Sequence, residues 1–411
     1  MKITTEIKEG VRISIEAIRG NLMRSGLTTI GIVIGVVTVT LMATAIEGLN
    51  NSFRNAISFM GTDVLYVAKR EWFIDSEEKW RAQSKRRKIT LSEARAVERG
   101  LRLTRAVAPS VDLNVMSVRY KNRSSNMVRM VGTNEQYLLT GGINLDSGRF
   151  MTKTEAYANR DVCILGWDVA AKLFENEPPL GQKIHVGNQP LEVIGVIEKR
   201  GSFLGKMSLD NQIVIPIGKM AAGYRWDPSC TIQVKVGDPA RVDEAREELR
   251  GLMRKIRRVP PGKDDDFSIN QQEQLLNQFR RVSGVIATTG FFITGLSLFV
   301  GGIGIMNIMF VSVTERTAEI GVRKALGARR RTILIQFLSE AIGICLLGGV
   351  VALVIARVLV EVARHYMPKV SMSPGIVLMA LGVATVTGVI SGFLPAWRAA
   401  RMTPVNALRN E

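Results

Sequence analysis

Histidine and cysteine are scarce in this sequence of 411 residues, which holds two histidines, His185 and His365, and three cysteines, Cys163, Cys230 and Cys345. Two lone histidines argue against a His-rich metal site and against a Ser/His/Asp triad with any redundancy. Two cysteines in the long stretch from Gly48 to Arg281 do not make a disulfide scaffold, although Cys163 and Cys230 could pair in an oxidising compartment. A phosphate loop is missing too. Gly205-Lys206 comes closest to G-x-x-x-x-G-K-[ST], but position 200 is Arg and Met207 follows the lysine, so nothing here supplies the cradle of backbone N–H groups and a lysine that holds nucleotide phosphates.

Charge is absent from long runs. Leu27 to Ile46 is uncharged for twenty residues, which at about 1.5 Å per residue spans the roughly 30 Å hydrocarbon core of a bilayer. Val282 to Val313 and Val370 to Trp397 carry no charge, and Thr332 to Ala356 carries one acid, Glu340. The Val282 run reaches about 48 Å, so part of it must project beyond the bilayer. Ala43-Thr-Ala45 resembles a signal-peptide cleavage site, but some 26 residues precede the first run and its apolar core is longer than a secretory one. It reads as a retained anchor.

These runs predict a membrane protein with four transmembrane α-helices and a large α+β domain inserted between helices 1 and 2. The boundaries are 1–26 for an N-terminal amphipathic segment, 27–48, 282–313, 331–363 and 374–395 for the helices, 49–281 for the inserted domain, 314–330 and 364–373 for the short connections, and 396–411 for the tail. Basic residues set the orientation. Lys2, Lys8, Arg12, Arg19 and Arg24 precede the first helix, Arg316, Arg323, Lys324 and Arg329 to Arg331 lie between the second and third, and Arg398, Arg401 and Arg409 follow the fourth. Those segments are expected in the cytoplasm, which puts the inserted domain and the loop 364–373 outside. The chain has 55 Lys and Arg against 37 Asp and Glu, a net charge of +18. Its densest external cluster, Arg81 to Lys88, is either a solvated loop or a surface for anionic lipid or an acidic partner. Nucleic acid is not expected on that side.

In the inserted domain, short Val- and Ile-rich runs predict strands at 64–68, 111–120, 128–132, 162–165, 183–186, 191–197, 213–216 and 231–236. Helices fit at 92–100, behind a Thr90-Leu-Ser-Glu93 capping box, at 167–175 and at 239–257. The last is expected to continue through the loop RVPPGKDDD and 271–281 into the second membrane helix as a stalk, paired with a second stalk over 46–59. The run Asp264 to Asp266 reads as a solvated loop, with a cation site as the alternative.

Between the second and third membrane helices stands TERTAEIGVRKALGARRR, Thr314 to Arg331. Ser312-Val-Thr-Glu315 has capping-box spacing, Glu319 and Arg323 lie four apart, as do Arg316 and Ile320, and Gly327 offers a stop. A helix this short is marginal alone in water and needs a support. Glu315 and Glu319 point to a protein socket of mixed charge in preference to lipid headgroups. Within the membrane, Gly301, Gly302 and Gly304, and Gly348 and Gly349, allow close helix approach, and Glu340 calls for a polar neighbour.

Gly301 to Ala341 resembles the signature of MacB/FtsX-type (type VII) ABC transporter permeases, Leu394 to Glu411 resembles that family's C-terminal tail, and the stretch from Ser147 to Gly201 resembles its periplasmic core domain. The resemblance implies a permease dimer in the inner membrane, with both termini cytoplasmic and a periplasmic domain of porter-like and β-rich parts. It further implies that Glu315, Arg316, Glu319, Ile320, Arg323, Lys324 and Gly327 form a coupling helix that docks into a cytoplasmic ATPase, which holds ATP and Mg and is here expected as a separate chain. The chain itself is then no enzyme. The leading expectation is efflux of an antibiotic, a peptide or a lipid-like molecule, with a periplasmic adaptor and an outer-membrane duct, driven by mechanotransmission. The alternatives are an FtsX-like regulator of cell-wall hydrolases and a lipoprotein-releasing permease.

Overall fold

The computed structural model describes residues 22–57, 61–175, 177–203, 207–223, 229–366 and 371–408. The basic residues Lys2 to Arg19, the Gly205-Lys206 pair, Phe59 and Arg409 lie outside them. The chain forms two compact units, one of residues 1–51 and 282–411, the other of residues 52–281.

In chain order the helices are α1 (Leu22–Ile57), α2 (Glu77–Ser84), α3 (Leu91–Gly100), α4 (Tyr137–Thr140), α5 (Lys153–Tyr157), α6 (Trp167–Leu173), α7 (Ile217–Gly223), α8 (Val242–Arg257), α9 (Gln272–Glu315), α10 (Thr317–Ala325), α11 (Arg330–Tyr366), α12 (Pro374–Arg401) and α13 (Pro404–Leu408). The strands are β1 (Val64–Ala68), β2 (Thr104–Tyr120), β3 (Arg123–Thr133), β4 (Leu145–Gly148), β5 (Val162–Leu165), β6 (Lys183–Val186), β7 (Gln189–Ile197), β8 (Ser202–Phe203), β9 (Met207–Ser208), β10 (Gln212–Pro216), β11 (Thr231–Val236) and β12 (Ser268–Gln271).

Among the described residues, α1, α9, α11 and α12 are long and apolar enough to cross a membrane. Their outer surfaces keep bulky apolar side chains exposed, Phe292, Phe299, Leu378 and Ile390 among them, as lipid contact requires, and a helix pairs most of its backbone groups within its own segment, as the bilayer demands. Helix contacts rest on small residues. A Cβ on Gly301 would lie 3.1 Å from the backbone of Gly31, so α1 and α9 meet backbone to backbone. Gly302 would meet Ser391 on α12, and Gly304 is half-buried. Along α12 the residues Ala380, Ala384, Gly388, Gly392 and Ala396 recur every fourth position and are all buried. A Cβ on Gly388 would sit 2.9 Å from the Cα of Ile342, and one on Gly349 would sit 3.1 Å from the Cβ of Ala384. In lipid, where apolar burial offers no preference between helix and hydrocarbon, this close approach is what favours association.

The inserted unit is built on a ten-stranded mixed sheet with the order β12-β1-β11-β2-β3-β10-β5-β7-β4, and β6 bridges β2 and β7. Pairing is antiparallel except for β3 with β10 and β5 with β7. Alternation along each strand sends Leu65, Val67, Val107, Met130, Ile213 and Val234 to one face, where they join the main core. Ala108, Val131 and Val214 face the other way, into a smaller cluster with Tyr137, Ile143 and Met151. Thr90 and Glu93 make the reciprocal capping box at the start of α3.

The structure bears on three of these readings. The segment expected over 271–281 does run straight into the second membrane helix, as the start of α9, but a strand stands between it and the helix at 239–257. A 3-10 turn (Pro239–Arg241) leads into α8, whose Leu249 and Met253 lie in the domain core, and the chain then forms β12 against β1 before α9 begins at Gln272. The stalk is therefore the start of α9, beside the end of α1, where Phe53 stacks on Phe279 with ring centroids 4.0 Å apart and Gln272 donates to the carbonyl of Ile57 at 3.0 Å. Second, Cys163 and Cys230 are free and buried. Cys163 lies on β5 and Cys230 abuts β11, four strand steps apart in the sheet; that is about 19 Å at the usual inter-strand spacing, far beyond disulfide reach.

Third, the cluster Arg81 to Lys88 is not a free basic surface. Its first part is helical in α2, Arg86 donates to Lys69 O and Ser268 Oγ, and Arg87 donates to Arg257 O and Asp266. Arg257, with its side chain buried, bridges Glu93 and Asp266. Of the aspartates at 264–266, Asp266 belongs to this network and Asp265 accepts from Arg250 and Arg254, while Asp264 is exposed.

Candidate functional site

The connection between α9 and α11 is the site the sequence singles out, and its local geometry has two ends of different character. At the N-terminal end no capping box forms. The helix α9 runs through Glu315, so Ser312 and Glu315 are interior positions, and the break comes one residue later at Arg316, with φ −103° and ψ 20° and no side-chain cap. Thr314 and Thr317 bond back to the carbonyls of Val311 and Val313, three and four residues earlier, the kind of side-chain contact that bends helices. At the C-terminal end Gly327 takes φ +91°, its N–H donates to Lys324 O and that of Ala328 to Arg323 O. That is a Schellman stop, which a side chain at 327 would strain.

Between these ends, α10 is fastened to the membrane bundle. Ile320 is buried in the cluster that holds Val313, Ile333, Phe337 and Ala399. Arg316 donates to Glu340 at 2.9 Å, and Glu340 is 2% exposed; this is the polar neighbour its position demands. Arg323 donates to Gln336 on α11 at 2.8 Å and pairs with Glu319. Lys324 donates to the carbonyls of Ala400 and Met402, which satisfies the open end of α12. Burial, with Arg330 nearby, holds the Lys324 ammonium below the usual lysine range. The short helix α13 packs along α10.

Of the seven residues assigned to coupling, the structure thus turns four inward. Arg316, Ile320, Arg323 and Lys324 seat the helix, whereas Glu315, Glu319 and Gly327 are exposed. Sequence reasoning missed two members of the exposed face, Val322 and Leu326, the latter 84% exposed, and missed Val405 of α13 at 69%. The signal was present as apolar residues four apart on a short charged helix beside the tail. Among the described residues no group of three or more His, Cys, Asp or Glu could hold a metal ion.

Four membrane-spanning helices, with a mixed α/β domain between the first and second and a short exposed helix between the second and third, define a polytopic membrane protein of the permease type. Family profiles place it further: the MacB-like periplasmic core domain matches residues 25–252 and the FtsX-like permease C-terminal region matches residues 291–404. The chain belongs to the MacB/FtsX-type family of ABC transporter permeases. It is 30% identical to the "Uncharacterized ABC transporter permease YknZ" of Bacillus subtilis over 98% of this chain and 99% of that one. It is 30% identical to the "Macrolide export ATP-binding/permease protein MacB" of Neisseria gonorrhoeae and 31% identical to that of Bdellovibrio bacteriovorus, over 98% and 99% of this chain and 61% and 62% of theirs. The chain spans about three fifths of the length of these MacB relatives. The solved periplasmic region of MacB from Actinobacillus actinomycetemcomitans aligns with 55% of this chain at 19% identity and a TM-score of 0.44, a likeness too weak to add to the assignment.

Proposed function

We propose that this chain is the permease subunit of an ABC transporter, that α10 docks into a separate ATPase subunit carrying ATP and Mg, and that nucleotide-driven movement travels along α9 to the inserted domain. The observation that carries the reading is the division of α10 and the residues at its two ends into an inner face fixed by Arg316, Ile320, Arg323 and Lys324 and an outer face of Glu315, Glu319, Val322 and Leu326. A helix held that firmly passes on a push, and its exposed face has the mixed charge and apolar character of a protein contact. The match to the permease YknZ over nearly its whole length supports an ATPase on another polypeptide.

In this reading the protein is a dimer in the inner membrane with its termini in the cytoplasm, and the inserted domain lies in the periplasm. The name of the MacB relatives supports export as the task, here of an antibiotic, a peptide or a lipid-like molecule, through an adaptor and an outer-membrane duct. Charge reversal at Glu319 tests the docking: with the ATPase subunit added to the reconstituted chain, stimulation of ATP hydrolysis falls while membrane insertion is unchanged. Full stimulation with the reversed residue would overturn the assignment.

A further inference from the structure

Contacts between α1 and α9 fix the depth of the bilayer along α9. Gly31 lies against Gly301, Gly35 against Leu298 and Gly290 against Met42, so the two helices run antiparallel in one register. Leu27, where the uncharged run of α1 begins, then stands level with Ile305. Phe310 lies about 7 Å further on at 1.5 Å per residue, which matches the roughly 5–7 Å of headgroup layer on each side of the hydrocarbon core. Helix α12 runs parallel to α9, since Gly302 meets Ser391 and Phe310 meets Arg398. The last turn of α12 is therefore at the depth of the lipid phosphates.

Two exposed arginines, Arg398 and Arg401, stand at that depth. The Arg398 guanidinium lies over the Phe310 ring, 5.1 Å from its centre, and that of Arg401 over the Trp397 ring at 4.1 Å. A ring shields one face of each guanidinium and leaves its N–H edge for an acceptor. Three residues apart on a helix, the two cations are neighbours that repel each other. Among the described residues neither pairs with a carboxylate, for Glu319 is engaged by Arg323 and Glu340 by Arg316. Nor do they serve the carbonyl end of α12, where Lys324 already donates to Ala400 and Met402.

Below the arginines the same two helices border an apolar groove. At about 100° per residue, Phe299, Ile303 and Phe310 lie on one side of the Gly302 contact around α9, and Ile390, Leu394 and Arg401 lie on the matching side of Ser391 around α12. The contact with α1, at Gly301, and that with α11, at Gly388, lie on the opposite side, so neither helix covers the groove. Phe299, Ile303, Ile390 and Leu394 are exposed along it. An apolar channel through the hydrocarbon that ends in two cations at phosphate depth has the polarity of a phospholipid, tails first and phosphate last. Basic pockets between membrane helices bind anionic headgroups in this way.

We propose that the groove between α9 and α12 binds a glycerophospholipid of net negative charge, its phosphate held between Arg398 and Arg401 and its acyl chains along Phe299, Ile303, Ile390 and Leu394. A zwitterionic lipid is disfavoured, because it brings its own cation beside two guanidiniums. The site lies wholly within the membrane unit and does not depend on α10 docking an ATPase.

Native mass spectrometry of the full chain in detergent tests this, with phosphatidylglycerol and phosphatidylcholine of the same acyl chains as probes. The first phosphatidylglycerol is expected to bind about tenfold or more tightly than phosphatidylcholine, since two basic side chains favour it. Arg398→Gln with Arg401→Gln is expected to remove that preference, whereas Arg329→Gln with Arg331→Gln, at two exposed positions between α10 and α11, is expected to keep it. If the first double variant does not fold, Arg401→Gln alone is expected to lower the preference at least about threefold. Glycerol phosphate, which has the head without the tails, is expected to leave the lipid bound; displacement by it would mean a site for soluble phosphates and contradict the assignment. Equal binding of the two lipids, a preference that survives loss of both α12 arginines, or equal loss from the two double variants would each refute the site.

Discussion

Arg316 at the foot of α10 donates to Glu340, inside α11, at 2.9 Å, and this contact joins two segments 24 residues apart across the turn between two membrane helices. It places a cation at the one acid in a run of 25 otherwise uncharged residues, Thr332 to Ala356. It also fixes where α10 begins.

Removing one partner of a buried pair leaves the other charge uncompensated, which costs about 3–5 kcal/mol. Arg316→Met is therefore expected to lower thermal stability in nanodiscs markedly, and Arg316→Met with Glu340→Gln to recover most of the loss. A single variant that melts like the parent would show that the pair is not what steadies the turn.

Glycine packing gives a matched pair of substitutions on one helix. A Cβ at Gly388 would press on the backbone of Ile342 at 2.9 Å, whereas one at Gly382 meets nothing within 4 Å. Gly388→Ala is expected to destabilise by about 1–3 kcal/mol through overpacking, and Gly382→Ala to be neutral or slightly stabilising. Equal melting of the two variants would contradict the close approach of α11 and α12.

In the inserted domain, Glu155 closes a capping box with Thr152 and receives Arg149. The hydrogen bond from Arg149, reinforced by the Thr152 backbone and opposed by burial, pulls its carboxyl down to about 2 from an ordinary 4.5. A depressed folded pKa means that this contribution is present in full above about pH 4.5 and fades as pH falls toward 2. Glu155→Gln is expected to be less stable than the parent by about 1 kcal/mol at pH 6, with the gap closing near pH 2. A gap of constant size across that range would mean that the carboxylate charge is not involved.

Much of this fold is legible in the sequence wherever one physical pattern dominates. Uncharged runs mark α1, α9, α11 and α12, and β1, β5, β6 and β11 coincide with Val- and Ile-rich runs. What escapes has a different cause in each case. Strand β12, Ser-Ile-Asn-Gln, has little apolar content and exists because it pairs with the edge of β1; it stands between α8 and the stalk that begins α9. The ladder from Ala380 to Ala396 reads as plain hydrophobicity until α11 is laid against it. At α10, composition reveals the charged residues but not which way they face. Arg316 and Lys324 have partners 24 and 76 residues away.

The central claim is that the outer face of α10 drives, and is driven by, an ATPase subunit. Leu326 tests it most directly, because it is 84% exposed and its replacement disturbs no packing. With the ATPase subunit and the chain reconstituted together, Leu326→Asp is expected to reduce permease-dependent stimulation of ATP hydrolysis about tenfold or more, as loss of an interface anchor does, with melting unchanged. Stimulation at the parental level with Leu326→Asp and Glu319→Lys combined would contradict the account.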